Sequence, residues 1–131
     1  MAHLTQEQLA GCRELGKQFT NHYYQIFDQN RDMLVSLYNE LAVLSFEGET
    51  FVGPAAIVQK LKSLSFQQIQ HVVTTIDSHL FSDGGILVVV VGQLKADADA
   101  ILGFNQTFVL RQVGDSYQIF NDVFRLVLHN G

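Results

Sequence analysis

Residues 69–91 read IQHVVTTIDSHLFSDGGILVVVV, and this stretch decides the fold class. Val72, Val73, Thr74, Thr75 and Ile76 are all β-branched, which suits a pleated strand and costs side-chain freedom in a helix. Asp83-Gly84-Gly85 is turn chemistry, and the run Ile86–Val91 behind it returns to strand composition. Two strands joined by so short a turn pair antiparallel.

The pattern continues toward the C terminus, where Phe104–Val113 and Tyr117–Leu128 flank a Gly114-Asp115 turn. Toward the N terminus it changes. Gly53 and the only proline, Pro54, precede AAIVQKLKSL, and proline suits a first helical turn because its missing N–H would have no partner there. Before that, Ala42–Phe46 and Thr50–Val52 flank Glu47-Gly48-Glu49, which predicts a hairpin. Thr5 followed by Gln8 has the form of a capping box, and Leu9, Cys12, Gly16, Phe19, Tyr23 and Ile26 then recur in steps of three and four. A helix is predicted to about Asp28, then a turn at Asp28-Gln29-Asn30 and a short helix over Arg31–Tyr38.

Helices first and hairpin-linked strands afterwards predict an α+β fold with an antiparallel sheet, since parallel pairing of consecutive strands needs crossover connections. Neither a repeat nor a linker interrupts the chain, so residues 1–131 form one domain. In the last strand, Phe120, Phe124, Leu126 and Leu128 fall on one face by alternation, and Tyr117, Ile119, Val123 and Val127 on the other. A sheet apolar on both faces needs two covers. Helices supply one, and a second copy of the chain, packed sheet to sheet as a homodimer, is the expected other.

Of the 131 residues 47% are hydrophobic and 16% charged, which excludes a disordered tail or linker. The formal net charge of -5 disfavours nucleic acid and anionic membrane surfaces and favours a basic partner. A single cysteine, Cys12, closes no internal disulfide and fits a reducing compartment. The N-terminal residues lack the cationic start and apolar block of a secretory signal, and Ile86–Val91 is too short to span a bilayer, so membrane insertion is not expected.

Titratable residues that interrupt apolar surroundings are His22, Asp28, His71, Asp122 and Arg125. Asp122 and Arg125 are three apart on a strand and face opposite ways, and isolated histidines are usually structural, so an enzyme is not expected. The histidines at 3, 22, 71, 79 and 129 show no zinc spacing, and the glycines form no phosphate loop. Neither metal nor cofactor is expected. The informative cluster is acidic: Glu47 with Glu49 in the hairpin turn, and Asp97 with Asp99 in LKADADA. Strand alternation would point Asp97 and Asp99 the same way, as a carboxylate edge for a basic partner or simply a solvated turn. As turn residues they should tolerate charge reversal with little loss of stability.

HYYQIFDQNR (22–31), SFEGETFVGPAAIVQKL (45–61), FQQIQH (66–71), VVGQLKADADAILGF (90–104) and NDVFRLVLHN (121–130) occur in this order, and together they resemble the nuclear transport factor 2 family. The resemblance implies a cone-like α+β fold, a homodimer through the sheet and no catalysis. It also implies a carrier that takes the GDP-bound form of the GTPase Ran into the nucleus, working between cytoplasm and nucleus and at the nuclear pore. In such carriers an aromatic side chain from Ran switch II enters a hydrophobic cavity, and basic residues of Ran meet an acidic rim. The matching rim positions are Glu47, Asp97 and Asp99; the matching cavity positions are Phe46, Leu64, Ile69, Leu102, Phe104 and Phe124, with His71 as an accessory. The family also binds FxFG nucleoporins, and Cys12 stands where its first helix commonly carries a tryptophan in the FG groove. Two alternatives share the fold: a small-molecule isomerase or dehydratase, and a peptide-binding scaffold domain. A carboxylate and histidine within hydrogen-bond reach in the cavity would speak for the enzyme.

Overall fold

The computed structural model describes residues 3–128, so His129 lies outside the described residues. The chain runs through helix α1 (Gln6–Gln29), a 3₁₀ segment (Arg31–Leu37), strands β1 (Tyr38–Phe46) and β2 (Glu49–Val52), helix α2 (Pro54–Lys62), and strands β3 (Ile69–Leu80), β4 (Ile86–Ala96), β5 (Leu102–Val113) and β6 (Ser116–Val127).

The capping box starts α1 as expected: the Gln8 N–H donates to the Thr5 hydroxyl at 3.0 Å, and the Thr5 N–H donates to the Gln8 side chain at 2.8 Å. The buried stripe is Cys12, Gly16, Thr20, Tyr23, Tyr24 and Phe27, turned slightly from the predicted one, so that Leu9, Phe19 and Ile26 are half-buried flanks. Gly16 is required by contact: a Cβ there would stand 1.9 Å from the Ser78 hydroxyl, so α1 lies directly on β3. Asn30 ends the helix and its side chain accepts the Asp32 N–H, capping the 3₁₀ segment. Tyr38, expected in a helix, opens β1 instead, because its ring is buried and its hydroxyl is held in the core.

The strands form one curved, mixed sheet in the order β2-β1-β6-β5-β4-β3. All neighbours pair antiparallel except β1 and β6, which are parallel. The purely antiparallel expectation fails at that pair because β1 and β6 are distant in sequence, and the intervening chain supplies the return that a parallel pair needs. A β-bulge at Phe120, where Leu110 pairs with Ile119 and Val109 with Asn121, also changes the faces of β6. Ile119 therefore points inward with Asp122 and Phe124, not outward with Val123.

Helices cover the inner face over a core that includes Tyr23, Leu34, Leu44, Ile57, Val88, Val90, Phe104 and Phe108. The outer face carries exposed Val72, Val91, Val123 and Val127 among polar Gln93, Asn105 and Arg125, with cross-strand rows such as Val72–Gln93–Gly103–Val127.

Candidate functional site: an apolar cavity with an acidic mouth

The helices leave one end of the curved sheet partly open. There α2 stops at Lys62, short of the predicted Leu64, and the chain that continues to β3 turns Leu64, Ser65 and Phe66 toward the sheet. The result is a cavity of about 290 Å³, with Phe46, Leu64, Ile69, Leu102 and Phe124 in its wall, as predicted, and Leu44, Leu61, Phe66, Leu94 and Leu126 beside them. Phe104 is not in the wall. It is fully buried beneath it, stacked on Phe124 at 5.8 Å and edge-on to His71 at 5.4 Å, because its strand position faces α1. Phe46 stacks almost flat on Phe124, with centroids 4.8 Å apart, and the Lys60 ammonium lies 5.4 Å from the Phe46 ring. Arg31 covers the Phe66 ring at 4.3 Å and donates to the Leu61 carbonyl, fixing the segment behind α2.

Of the three predicted rim carboxylates only Asp99 is among the residues lining this cavity; Asp97 lines a separate groove with Gln67, Gln68 and Lys95, and the three are held in different ways. Glu47 sits in the left-handed region with φ 51°; its N–H donates to the Phe124 carbonyl, and its side chain accepts the Leu126 N–H. Asp97 is also left-handed, with φ 52°, and accepts the N–H groups of Gln67 and Gln68, the latter at 2.8 Å. Asp99 lines the cavity and makes no side-chain hydrogen bond among the described residues. Asp97 and Asp99 lie in the turn after β4, so the strand alternation expected to align them does not apply. Glu49 pairs with Lys60 at 3.4 Å on the hairpin's open side.

His71, in the cavity wall, pairs with Asp28 outside it. The His71 Nδ1 lies 2.6 Å from Asp28 Oδ1, and the His71 backbone N–H donates to Oδ2 at 2.9 Å. The imidazole is sandwiched against Tyr24 and the edges of Phe27 and Phe104, and its side chain is only 3% exposed. A polar network continues under the cavity: Tyr24 donates to Gln106 Oε1 at 2.6 Å, Gln106 Nε2 donates to Asp122 at 2.8 Å, and Tyr38 donates to the other Asp122 oxygen at 2.7 Å. Burial pushes the Asp122 carboxyl up to about 6, against the opposing pull of the Gln106 and Tyr38 hydrogen bonds. Burial likewise raises the Tyr23, Tyr24 and Tyr38 hydroxyls well above the usual phenol range.

Asp122 and Arg125 do face opposite ways, Asp122 buried and Arg125 exposed; His22 is exposed on α1. The Asp28–His71 pair was not legible as a pair, since only the packing of α1 on β3 joins residues so far apart in sequence. Only His71 of the pair lines the cavity; Asp28 lies outside it, its side chain 21% exposed, so the criterion that would speak for an enzyme, a buried carboxylate and histidine together in the cavity, is not met by this pair. Cys12 is 5% exposed and belongs to the core, where burial raises its thiol; within one chain it offers no surface to an FG repeat, contrary to expectation. No group of three or more His, Cys, Asp or Glu gathers into a metal site among the described residues, and no described helix is long and apolar enough to cross a membrane.

The profile of the nuclear transport factor 2 domain matches residues 15–126. The chain is 45% identical over 115 residues to the nuclear transport factor 2 of Davidiella tassiana, an alignment covering 86% of this chain and 92% of the relative. It is 42% identical over 120 residues to the protein of the same name from Schizosaccharomyces pombe, covering 90% and 98% of the two chains. The solved structure of nuclear transport factor 2 from Cryptosporidium parvum superimposes with a TM-score of 0.85 at 38% identity, covering 97% of this chain and 100% of that one.

Proposed function

The chain belongs to the nuclear transport factor 2 family, and from that premise we propose that it carries the GDP-bound form of Ran into the nucleus, passing the pore on FxFG nucleoporins. It is a nuclear transport protein and not an enzyme. The observation that carries the Ran assignment is the cavity itself: apolar walls with Phe46, Leu64 and Phe124, and a free carboxylate, Asp99, at the mouth.

Two forces divide the work. Burying one phenylalanine side chain from Ran contributes about 1.5–3 kcal/mol, whereas an exposed ion pair contributes about 0.2–1 kcal/mol. The cavity supplies most of the affinity, and the rim selects the orientation. Glu47 and Asp97 arrive already fixed by backbone N–H groups, and a carboxylate accepting one to three such bonds keeps lone-pair capacity for an incoming lysine or arginine. Selectivity for the GDP state follows if switch II presents its aromatic only in that state, because a carrier discriminates between states only through contacts that differ.

The outer-face valines support a homodimer packed sheet to sheet, with polar neighbours that suit a partly hydrated interface. Leu9, Val73 and Ile76 give a groove between α1 and β3 its apolar part, and FxFG phenylalanines are placed there rather than on Cys12. The chain accordingly works in cytoplasm and nucleus and at the pore. A pull-down with immobilised protein tests the reading: GDP-loaded Ran is retained and GTP-loaded Ran is not. Equal retention of both, or of neither, rejects it.

A further inference from the structure

We propose that the cavity is also a binding site for a free small molecule of the phenol class: a flat, neutral aromatic carrying one hydroxyl group. The apolar wall selects the ring, and His71 selects the hydroxyl. His71 lines the cavity with its side chain 3% exposed, and Asp28 occupies Nδ1 at 2.6 Å. Its Nε2 makes no hydrogen bond among the described residues, so the ring is oriented on one side and open to a ligand on the other. A carboxylate at Nδ1 places the proton there in the neutral ring and leaves the Nε2 lone pair as an acceptor. A phenol hydroxyl donates to that lone pair; were the ring charged, the same hydroxyl would accept from Nε2–H. A hydroxyl therefore pairs with the open Nε2 in either state, which a hydrocarbon does not.

Size sets the second requirement. An apolar cavity of about 150 Å³ takes up benzene. The present one, about 290 Å³, has room for two fused rings. Gln106, which also lines it, is held in place by Tyr24 and Asp122 and gives the wall a fixed polar point. The proposal needs the cavity but not Ran, so its test contains no Ran and stands or falls apart from the transport reading.

The probe pair is 2-naphthol and 2-methylnaphthalene, which differ by a hydroxyl for a methyl, titrated into the full-length chain and followed by calorimetry and by the ring ¹⁵N resonances of His71. The expected result is saturable binding of 2-naphthol about tenfold tighter than 2-methylnaphthalene, the equivalent of one net hydrogen bond, with a shift of the His71 Nε2 resonance. In His71→Phe the two probes should bind alike. Should that variant not fold, the wild-type Nε2 shift decides. Equal affinities in the wild type, an unshifted Nε2 at saturation, or no binding of 2-naphthol up to its solubility would overturn the proposal.

Discussion

The side chain of Glu47, in the β1–β2 turn, accepts the backbone N–H of Leu126 near the end of β6, so a carboxylate expected at the rim also ties the turn to a distant strand. Asp97 does the same for Gln67 and Gln68. Charge reversal at these positions therefore removes a structural hydrogen bond as well as an attraction, which the picture of a tolerant surface turn omits.

Glu47→Lys should accordingly lower stability by about 0.5–1.5 kcal/mol, the net worth of a hydrogen bond in a partly solvated setting. Glu47→Gln keeps an acceptor and should cost less. Asp99→Lys, with no bond to lose, should stay within about 0.5 kcal/mol of the wild type. Urea denaturation midpoints at constant m-value measure all three.

Asp122 should make stability fall as pH rises. Burial lifts its carboxyl to about 6 in the folded chain, above the ordinary aspartate range, so the folded state holds its proton where the unfolded state has released it. That contribution is complete below about pH 4 and is lost as pH rises through about 6; a shift of this size corresponds to about 3 kcal/mol. Asp122→Asn should flatten this part of the pH profile. An unchanged slope between wild type and variant would show that Asp122 is ionised throughout.

The contact of Gly16 with Ser78 predicts a paired effect. The Ser78 hydroxyl is buried without a partner among the described residues, so Ser78→Ala should be neutral or slightly stabilising. Gly16→Ala alone should destabilise by about 1–3 kcal/mol, because the new Cβ meets the hydroxyl at 1.9 Å and the Ser78 Cβ at 3.0 Å. In the Ser78→Ala background much of that loss should be recovered, helped by the better helix propensity of alanine. Thermal melts of the double-mutant cycle measure the coupling.

Local chemistry explains what could be foreseen. The capping box at Thr5, proline at the start of α2 and the glycine turns between strands each act within a few residues, and each stands where the sequence places it. What depends on packing was hidden. The parallel pairing of β1 with β6 and the bulge at Phe120 arise from contacts far apart in sequence, and the bulge reversed the assignment of Ile119. Among the cavity positions, five of six aromatic or aliphatic residues line the wall, while Phe104 supports it from below. Cys12 lies on the buried stripe of α1, whose spacing already pointed inward.

Val123→Lys tests the outer face. Placing a charge on the face shared with Val127 and Val91 should turn a dimer into a folded monomer in sedimentation, since a buried unpaired charge is strongly unfavourable. A wild-type chain that sediments as a monomer at micromolar concentration would remove the basis for that interface.

Calorimetric titration of GDP-loaded Ran into the wild type and into Asp99→Lys isolates the contribution of charge, because Asp99 alone among the three predicted rim carboxylates makes no side-chain hydrogen bond among the described residues. Measurable binding by the wild type and its loss in a variant that melts like the wild type are expected, since like charges set against a basic partner cost several kcal/mol. A folded Asp99→Lys protein that binds GDP-loaded Ran with undiminished affinity would overturn the assignment of this cavity, with Asp99 at its edge, as the Ran site.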